Sequence, residues 1–389
     1  MAGARVLVLE QNARSGTKIL VSGGGHCNVT TTLDAVAAEA HFVSSEGGAK
    51  GGRFLRHALR TTPPAEIRRW LEERGVATVE REFEKVWPAS MRARDVRDAL
   101  VGRAVDAGAR IRTRTPVCEI GRTSTGWCAR AGQVEFVAPT MVLAVGGKSY
   151  PKAGTRGVGY AWLRALDLEV IEPVPALAPL ASPAHWVHAL AGMTLEDVEL
   201  RLQAGEKPVF RRRRPLLFTH RGISGPAAMD ASGRLERAPG RYRVLVDLVP
   251  DVPSEALAAR LFVGGGRLLP RIARELGLPR RLGTHILQSL ELEDVAPAEV
   301  NRRKRRELLL ALKGLEIPIS SSLGFDKAEV TAGGLALGEV DPKTMQVRRH
   351  PGLFVTGELL DVDGPIGGFS FLVAFATGAL AGRAAASQA

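Results

Sequence analysis

Arg5-Val6-Leu7-Val8-Leu9-Glu10, "RVLVLE", is a short apolar run that stops on an acid. A strand covered on both faces reads as continuous apolar residues rather than as an alternation. This run therefore predicts a buried parallel strand that delivers Glu10 at its C-terminal edge. Met141 to Gly147, "MVLAVGG", has the same form and stops on a glycine pair. Gly352 to Glu358, "GLFVTGE", stops on a glycine and an acid. Helical patterns lie between the first two runs, at 52–59, at 64–74 with Pro64 at its start and Gly75 past its end, and at 96–107 before Gly108. Strand patterns follow at 110–120 and 126–137. The alternation predicts an α/β fold with a Rossmann-like domain.

The chain has 389 residues, 45% hydrophobic, enough for one large or two ordinary domains with real cores. Lys and Arg number 53 against 41 Asp and Glu, a net charge of +12 that suits polyanionic or phosphorylated partners without demanding them. The basic runs Arg211 to Arg214 and Arg302 to Arg306 lack interleaved aromatics, so they read first as solvated faces. Cys27, Cys118 and Cys128 form neither a CxxC pair nor a zinc spacing, as a reducing compartment allows. With no basic-then-apolar leader, the expected location is the cytoplasm. The uncharged run 364–382 reaches the length of a membrane span, but its glycines and Pro365 favour a buried helix entered through a Gly-rich turn.

At Pro173 the texture changes to closely spaced prolines, then to strand-like pieces at 198–202, 215–219 and 242–248. Ser254 reads as the cap of a helix, and helical patterns run to about residue 315. Short strands and glycines return after Asp326. The expected organisation is a discontinuous first domain, 1–172 and 326–389, interrupted by an insertion at 173–325 that is β-rich to 250 and mainly helical from 251.

Glycine lets main-chain N–H groups approach a phosphate or a flat ring with no Cβ in the way. Strands stopping on glycines, together with one that delivers Glu10 to a ribose, fit a dinucleotide. "ILVSGGGHCN", Ile19 to Asn28, is the densest of these approaches, and the glycine-led segment "GPIGGFSFLVAF" at 364–375 would open a helix whose free N–H groups face the electron-rich edge of a flavin.

These segments resemble the BaiN-like, aminoacetone-oxidase-like FAD-binding flavoproteins, among the two-dinucleotide-binding-domain flavoproteins. Members carry "SGGGRCN", here within 18–28, and "GGKSYPKTG", here 146–154. Further on come "LLFTHxGxSGPA" at 216–227, "AxVTAGG" at 328–334, "GEVLDxDG" at 357–364 and "GGYNFQWAF" at 367–375. The likeness spans about residues 4 to 383. It implies an FAD domain with an inserted β-barrel-like domain and a small helical part. It also implies FAD-dependent oxidoreductase activity on a small molecule, with NAD(P)H as a transient reductant. Residue by residue, it places Glu10 at the adenosine ribose, Val117 backbone at the adenine, and Lys18, Ser22, Gly23, Gly24, Gly25, His26, Cys27 and Asn28 beside the flavin. Ala144, Val145, Gly146 and Gly147 would line the dinucleotide. Gly357, Glu358 and Asp361 would face the ribityl and pyrophosphate region, and Gly367, Gly368 and Phe369 the pyrimidine edge.

The chain departs from this pattern in three places. The family's GxGxxG phosphate loop belongs about twenty residues upstream of the strand-end acid, and no GxGxxG occurs in the sequence. A late start, a truncation or a real loss would each produce this. His26 stands where the family has Arg, and Ser370, Leu372 and Val373 where it often has Asn, Gln and Trp. No residue is assigned a covalent role; His26, Lys18 or Lys148 could polarise a substrate. No metal site is expected, because His185 and His188 lack a third ligand pattern. Gly222 to Pro226 lacks the last glycine of a nucleophile elbow. The rival reading is a degenerate flavoprotein scaffold that binds RNA or another polyanion without catalysis.

Overall fold

The computed structural model describes residues 3–47, 49–263 and 266–389. Its contacts divide the chain into two units, Met1–Pro175 with Ala328–Ala389, and Ala176–Lys327. In the first unit the apolar runs form parallel pairs, Leu7–Leu9 with Arg110–Arg112 and Met141–Leu143 with Leu353–Val355. A parallel pair needs a crossover connection. Between Leu9 and Arg110 it is built largely from the helices Lys50–Thr61, Pro64–Glu72 and Ala93–Asp106.

The two pairs differ in burial. Leu353, Phe354 and Val355 are fully buried, whereas Val6, Leu7 and Val8 are 50%, 47% and 39% exposed. The first strand is thus parallel as expected but not buried. Arg110–Arg112 is its one partner among the described residues, and its other edge and much of its apolar surface stay open. The pattern at 110–120 also divides. Arg114 adopts the left-handed region (φ 51°), the first strand ends at Arg112, and the next runs Glu119–Thr123. That strand joins Gly126–Ala131 and Val134–Ala138 in an antiparallel meander.

The last helix, Phe369–Ala386, begins five residues later than the glycine-led run suggests. Gly367 and Gly368 have φ of 140° and 86°, and a Cβ on Gly368 would sit 2.5 Å from the Thr30 carbonyl oxygen. Only glycine makes that approach. By length and composition the helix could cross a bilayer. Here it buries Phe369, Leu372, Val373, Ala376 and Leu380 in the core of its unit.

In the second unit an antiparallel sheet of seven strands has Leu315–Glu316 at one edge and Ser321–Ser322 at the other. Lying flat, seven strands would span roughly 29 Å, yet the short link between these edges reaches only about 17 Å. The sheet therefore curls toward a barrel. Helices Ser254–Phe262, Leu268–Leu276, Arg280–Ser289 and Arg302–Lys313 supply the helical part. Ser254 does not cap the first of them: Pro253 holds the N-cap position, with no side-chain hydrogen bond. The Arg211–Arg214 run lies in the strand Lys207–Thr219 and is neutralised from within. Arg212 pairs with Asp230, Arg213 with Asp197 and Asp251, and Arg211 lies 4.0 Å from Glu199.

Candidate cofactor site

The Ser22–Gly25 turn is wound by backbone that side chains rarely adopt: φ is 52° at Gly23, 65° at Gly24 and 90° at Gly25. The residue after the turn's exit, Cys27, keeps φ at 61° without being glycine, a conformation that only a well-packed surround sustains. A Cβ on Gly23 would meet the Trp87 ring at 2.9 Å, whereas one on Gly24 would meet nothing within 4 Å. The loop is thus packed on one side and open on the other.

Asn28 ties this loop to the start of the last helix. In the amide orientation that its neighbours require, it accepts from the Gly368 N–H (3.1 Å) and donates to the carbonyls of Thr30 and Val86 (3.0 Å each). Past Gly368, the helix has no side-chain cap and no acid in its first turn. The N–H groups of Phe369, Ser370 and Phe371 have no acceptor among the described residues. Two arrays of backbone donors, distant in sequence, therefore come together around Asn28. The hydroxyl of Thr30, two residues after Asn28, is buried without a partner among the described residues.

Lys18, Ser149, Thr331 and Glu358 form a second cluster. Lys18 Nζ donates to Ser149 Oγ (2.7 Å) and lies 3.5 Å from Glu358 Oε2. Glu358 Oε1 accepts from Ser149 Oγ and from the Thr331 N–H, both at 2.8 Å. A Cβ on Gly147 would strike Thr331 Oγ1 at 2.4 Å and Glu358 Oε1 at 2.5 Å, so this glycine serves internal packing. Its neighbour Gly146 has φ of 70°, and Ala144 and Val145 lead the strand into it. Asp361 is fully buried and accepts from the Ser45 N–H (3.0 Å) and Oγ (2.8 Å). The Gly357 N–H donates to Thr377 Oγ1 (2.9 Å).

Glu10 and Val117 both follow the C-terminal ends of the first strand pair. The Glu10 carbonyl accepts from Thr115 N–H (2.9 Å), and its Oε1 accepts from the Asn12 N–H (2.7 Å). The other carboxylate oxygen and the Val117 backbone have no partner among the described residues. Three of the residues that hold these clusters, Ser149, Thr331 and Trp87, had no role in the sequence reading. Ser149 and Thr331 lie inside quoted motifs, but only the fold shows that both serve Glu358.

Burial pushes the Cys27 thiol up to about 11, against a smaller opposing effect of a hydrogen bond with Ser22, so it keeps its proton at neutral pH. Burial, then the nearby Glu358 charge, also push the Tyr160 phenol upward. His26 is exposed, with Nδ1 2.8 Å from the Met91 carbonyl oxygen, which fixes Nδ1 as the protonated nitrogen.

Residues 1–384 match the HI0933-like protein Rossmann domain family. The chain belongs to that FAD-binding Rossmann family. It is 31% identical to the 3-dehydro-bile acid delta(4,6)-reductase of Clostridium scindens, over 99% of this chain and 93% of that protein. It is 29% identical to the ribosomal RNA dihydrouridine synthase of Escherichia coli, over 95% of this chain and 89% of that one. Among solved structures, a 3-ketosteroid-delta4-(5alpha)-dehydrogenase from Rhodococcus jostii aligns with a TM-score of 0.47 at 14% identity, covering 99% of this chain and 92% of that one. The HI0933-like chain is thus a flavoprotein of oxidoreductase type.

Its residues fit the two ends of FAD. The uncapped N–H groups at 369–371 and the open face of Gly24 suit a flat ring with an electron-rich edge. The unshared oxygen of Glu10 suits a ribose hydroxyl. For the pyrophosphate between them the sequence holds no GxGxxG loop.

Proposed function

We propose that this flavoprotein, working in the cytoplasm, reduces a carbon–carbon double bond conjugated to a carbonyl, with FAD held non-covalently and NAD(P)H as a transient reductant. The observation that carries the reading is chemical. Uridine reduced to dihydrouridine and a bile acid reduced at delta(4,6) are unrelated molecules, yet each presents an alkene conjugated to a carbonyl. Relatives named for both reactions align with nearly the whole chain.

FAD, when bound, supplies the electron pair. The protein's part is orientation and charge. The helix end at Phe369–Phe371 and the Ser22–Asn28 loop would hold the ring by backbone donors, and Glu10 and Val117 the adenosine. Lys18, fixed by Ser149 and Glu358, places a cation where negative charge develops. Gly146 and Gly147 would line the dinucleotide, while Gly357, whose N–H is held by Thr377, and Asp361, held by Ser45, shape the wall. The alternative, a scaffold that binds polyanions without catalysis, has less support, since the Arg211–Arg214 run is largely engaged by the protein's own carboxylates.

The test is anaerobic. Purified protein should show flavin absorbance near about 450 nm, the chromophore's own band. After chemical reduction, a steroid enone or a uridine-containing RNA should restore that band and yield the saturated product. A protein without the band, or one whose reduced flavin is reoxidised only by oxygen, would overturn the proposal.

A further inference from the structure

Lys18, Ser149 and Glu358 are joined in one direction. Lys18 Nζ donates to Ser149 Oγ at 2.7 Å, and Ser149 Oγ donates to Glu358 Oε1 at 2.8 Å, closer than its other acceptor, the Glu329 carbonyl oxygen at 3.2 Å. A hydroxyl that accepts one hydrogen while it gives another can pass a proton along such a line. Ser149 is fully buried and the Lys18 side chain 29% exposed, so the line runs inward from solvent. Beyond Glu358 a small cavity continues it, bounded by Thr331, Glu358, Asp363, Gly364, Ser370 and Val373. It leaves about 10 Å³ for the centre of a water-sized sphere, room for one molecule. A carboxylate accepts at about four lone-pair sites, and Glu358 spends three of them on Ser149, Thr331 and Lys18. Across the cavity, the Ser370 hydroxyl has no protein partner among the described residues.

We propose that one water molecule occupies this cavity, bridges Glu358 to Ser370, and completes a path that brings the proton of the reduction to Ser370 Oγ. Ser370 lies in the first turn of the helix Phe369–Ala386, whose free N–H groups are assigned to the flavin ring, so its hydroxyl ends the path at the edge of that site. The proton's destination rests on the reductase reading. Saturating a conjugated alkene takes a hydride at one carbon and a proton at its neighbour. The proton leaves Ser370 Oγ for that second carbon. Ser370 takes one from the water, the water takes one through Glu358 and Ser149 from Lys18 Nζ, and the neutral amine regains its proton from bulk water. The shift is concerted and leaves no charge on Ser370. Glu358 meets no ligand in this path and acts only through the water.

The first readout needs no turnover. A high-resolution crystal structure of the full chain should show a water within about 2.5–3.0 Å of both the Glu358 carboxylate and Ser370 Oγ, and a dry cavity would overturn the relay. The second readout is the anaerobic reoxidation of chemically reduced flavin by whichever substrate restores the wild-type absorbance band. Ser370→Ala should slow that step at least about tenfold with the flavin content of the wild type. Ser370→Thr should restore the rate, and imidazolium added as an outside acid should rescue the alanine variant, a response that a merely structural role would not give. Ser149→Ala should slow the same step from a buried position, and Ser370→Ala carries the test alone if that variant unfolds, as judged by circular dichroism. A wild-type rate in Ser370→Ala, or a slow rate that neither threonine nor imidazolium repairs, would overturn the proton path. A wild-type protein that holds the water but reduces no conjugated alkene would remove the reductase reading and leave the link from Glu358 to Ser370 standing.

Discussion

Leu7–Leu9 and Leu353–Val355 are written in the same sequence language, an apolar run followed within a few residues by a glutamate, and the fold treats them oppositely. The second is sealed on all sides and hands over Glu358, whose carboxylate is saturated by Ser149, Thr331 and Lys18. The first has one paired edge, an exposed apolar surface and a Glu10 carboxylate with an oxygen to spare. An apolar run thus reports that a strand can be buried, while its neighbours decide whether it is. The acid behind a buried run becomes structural, and the acid behind an open one stays available to a ligand.

The sharpest way to break this contrast is to empty the buried side. Phe354 is 0% exposed. Phe354→Ala removes an aromatic ring from a closed core and should cost about 3–5 kcal/mol in urea unfolding. A loss below about 1 kcal/mol would mean that this strand is no better packed than the first.

The acids give the next effect. Glu358→Ala strands the Thr331 N–H, the Ser149 hydroxyl and the Lys18 ammonium, and should cost about 2–3 kcal/mol of stability. Glu10→Ala releases only the Asn12 N–H and should cost under about 1 kcal/mol, but it should weaken FAD binding about tenfold, the equivalent of roughly 1.4 kcal/mol. Unfolding and flavin-release titrations on the two variants separate the roles. If Glu358→Ala changes only cofactor affinity, the structural assignment of that acid fails.

What was legible in the sequence follows the same division. Parallel strands and helices read at 52–59, 64–74 and 96–107, which the fold places at 50–61, 64–72 and 93–106, come from periodicity and glycine punctuation, which are local signals. The glycine turn at 22–25 was readable because a left-handed backbone leaves glycines in the text. Three things were not readable. The bridge from Asn28 to Gly368 joins residues 340 positions apart through an amide that has no spacing rule. Arg14 and Arg97 are far apart in sequence, and only the fold brings both to one groove. The internal pairing of Arg211 to Arg214 depends on carboxylates delivered by other elements, so a charge run cannot announce whether it is already spent.

The smallest effect is the most diagnostic for the first strand. Leu7 is 47% exposed, so Leu7→Ser loses little buried apolar surface and should change stability by no more than about 0.5 kcal/mol. It should also lower binding of a hydrophobic dye, since Val6, Leu7 and Val8 together form an exposed apolar strip. A cost above about 2 kcal/mol would mean that the strip is covered in solution by protein that packs on it, and the difference between the two strands would then lie in what covers them rather than in how they are built. Measuring the same variant over a hundredfold range of protein concentration decides between a second copy, whose contribution rises with concentration, and the chain's own residues, whose contribution does not.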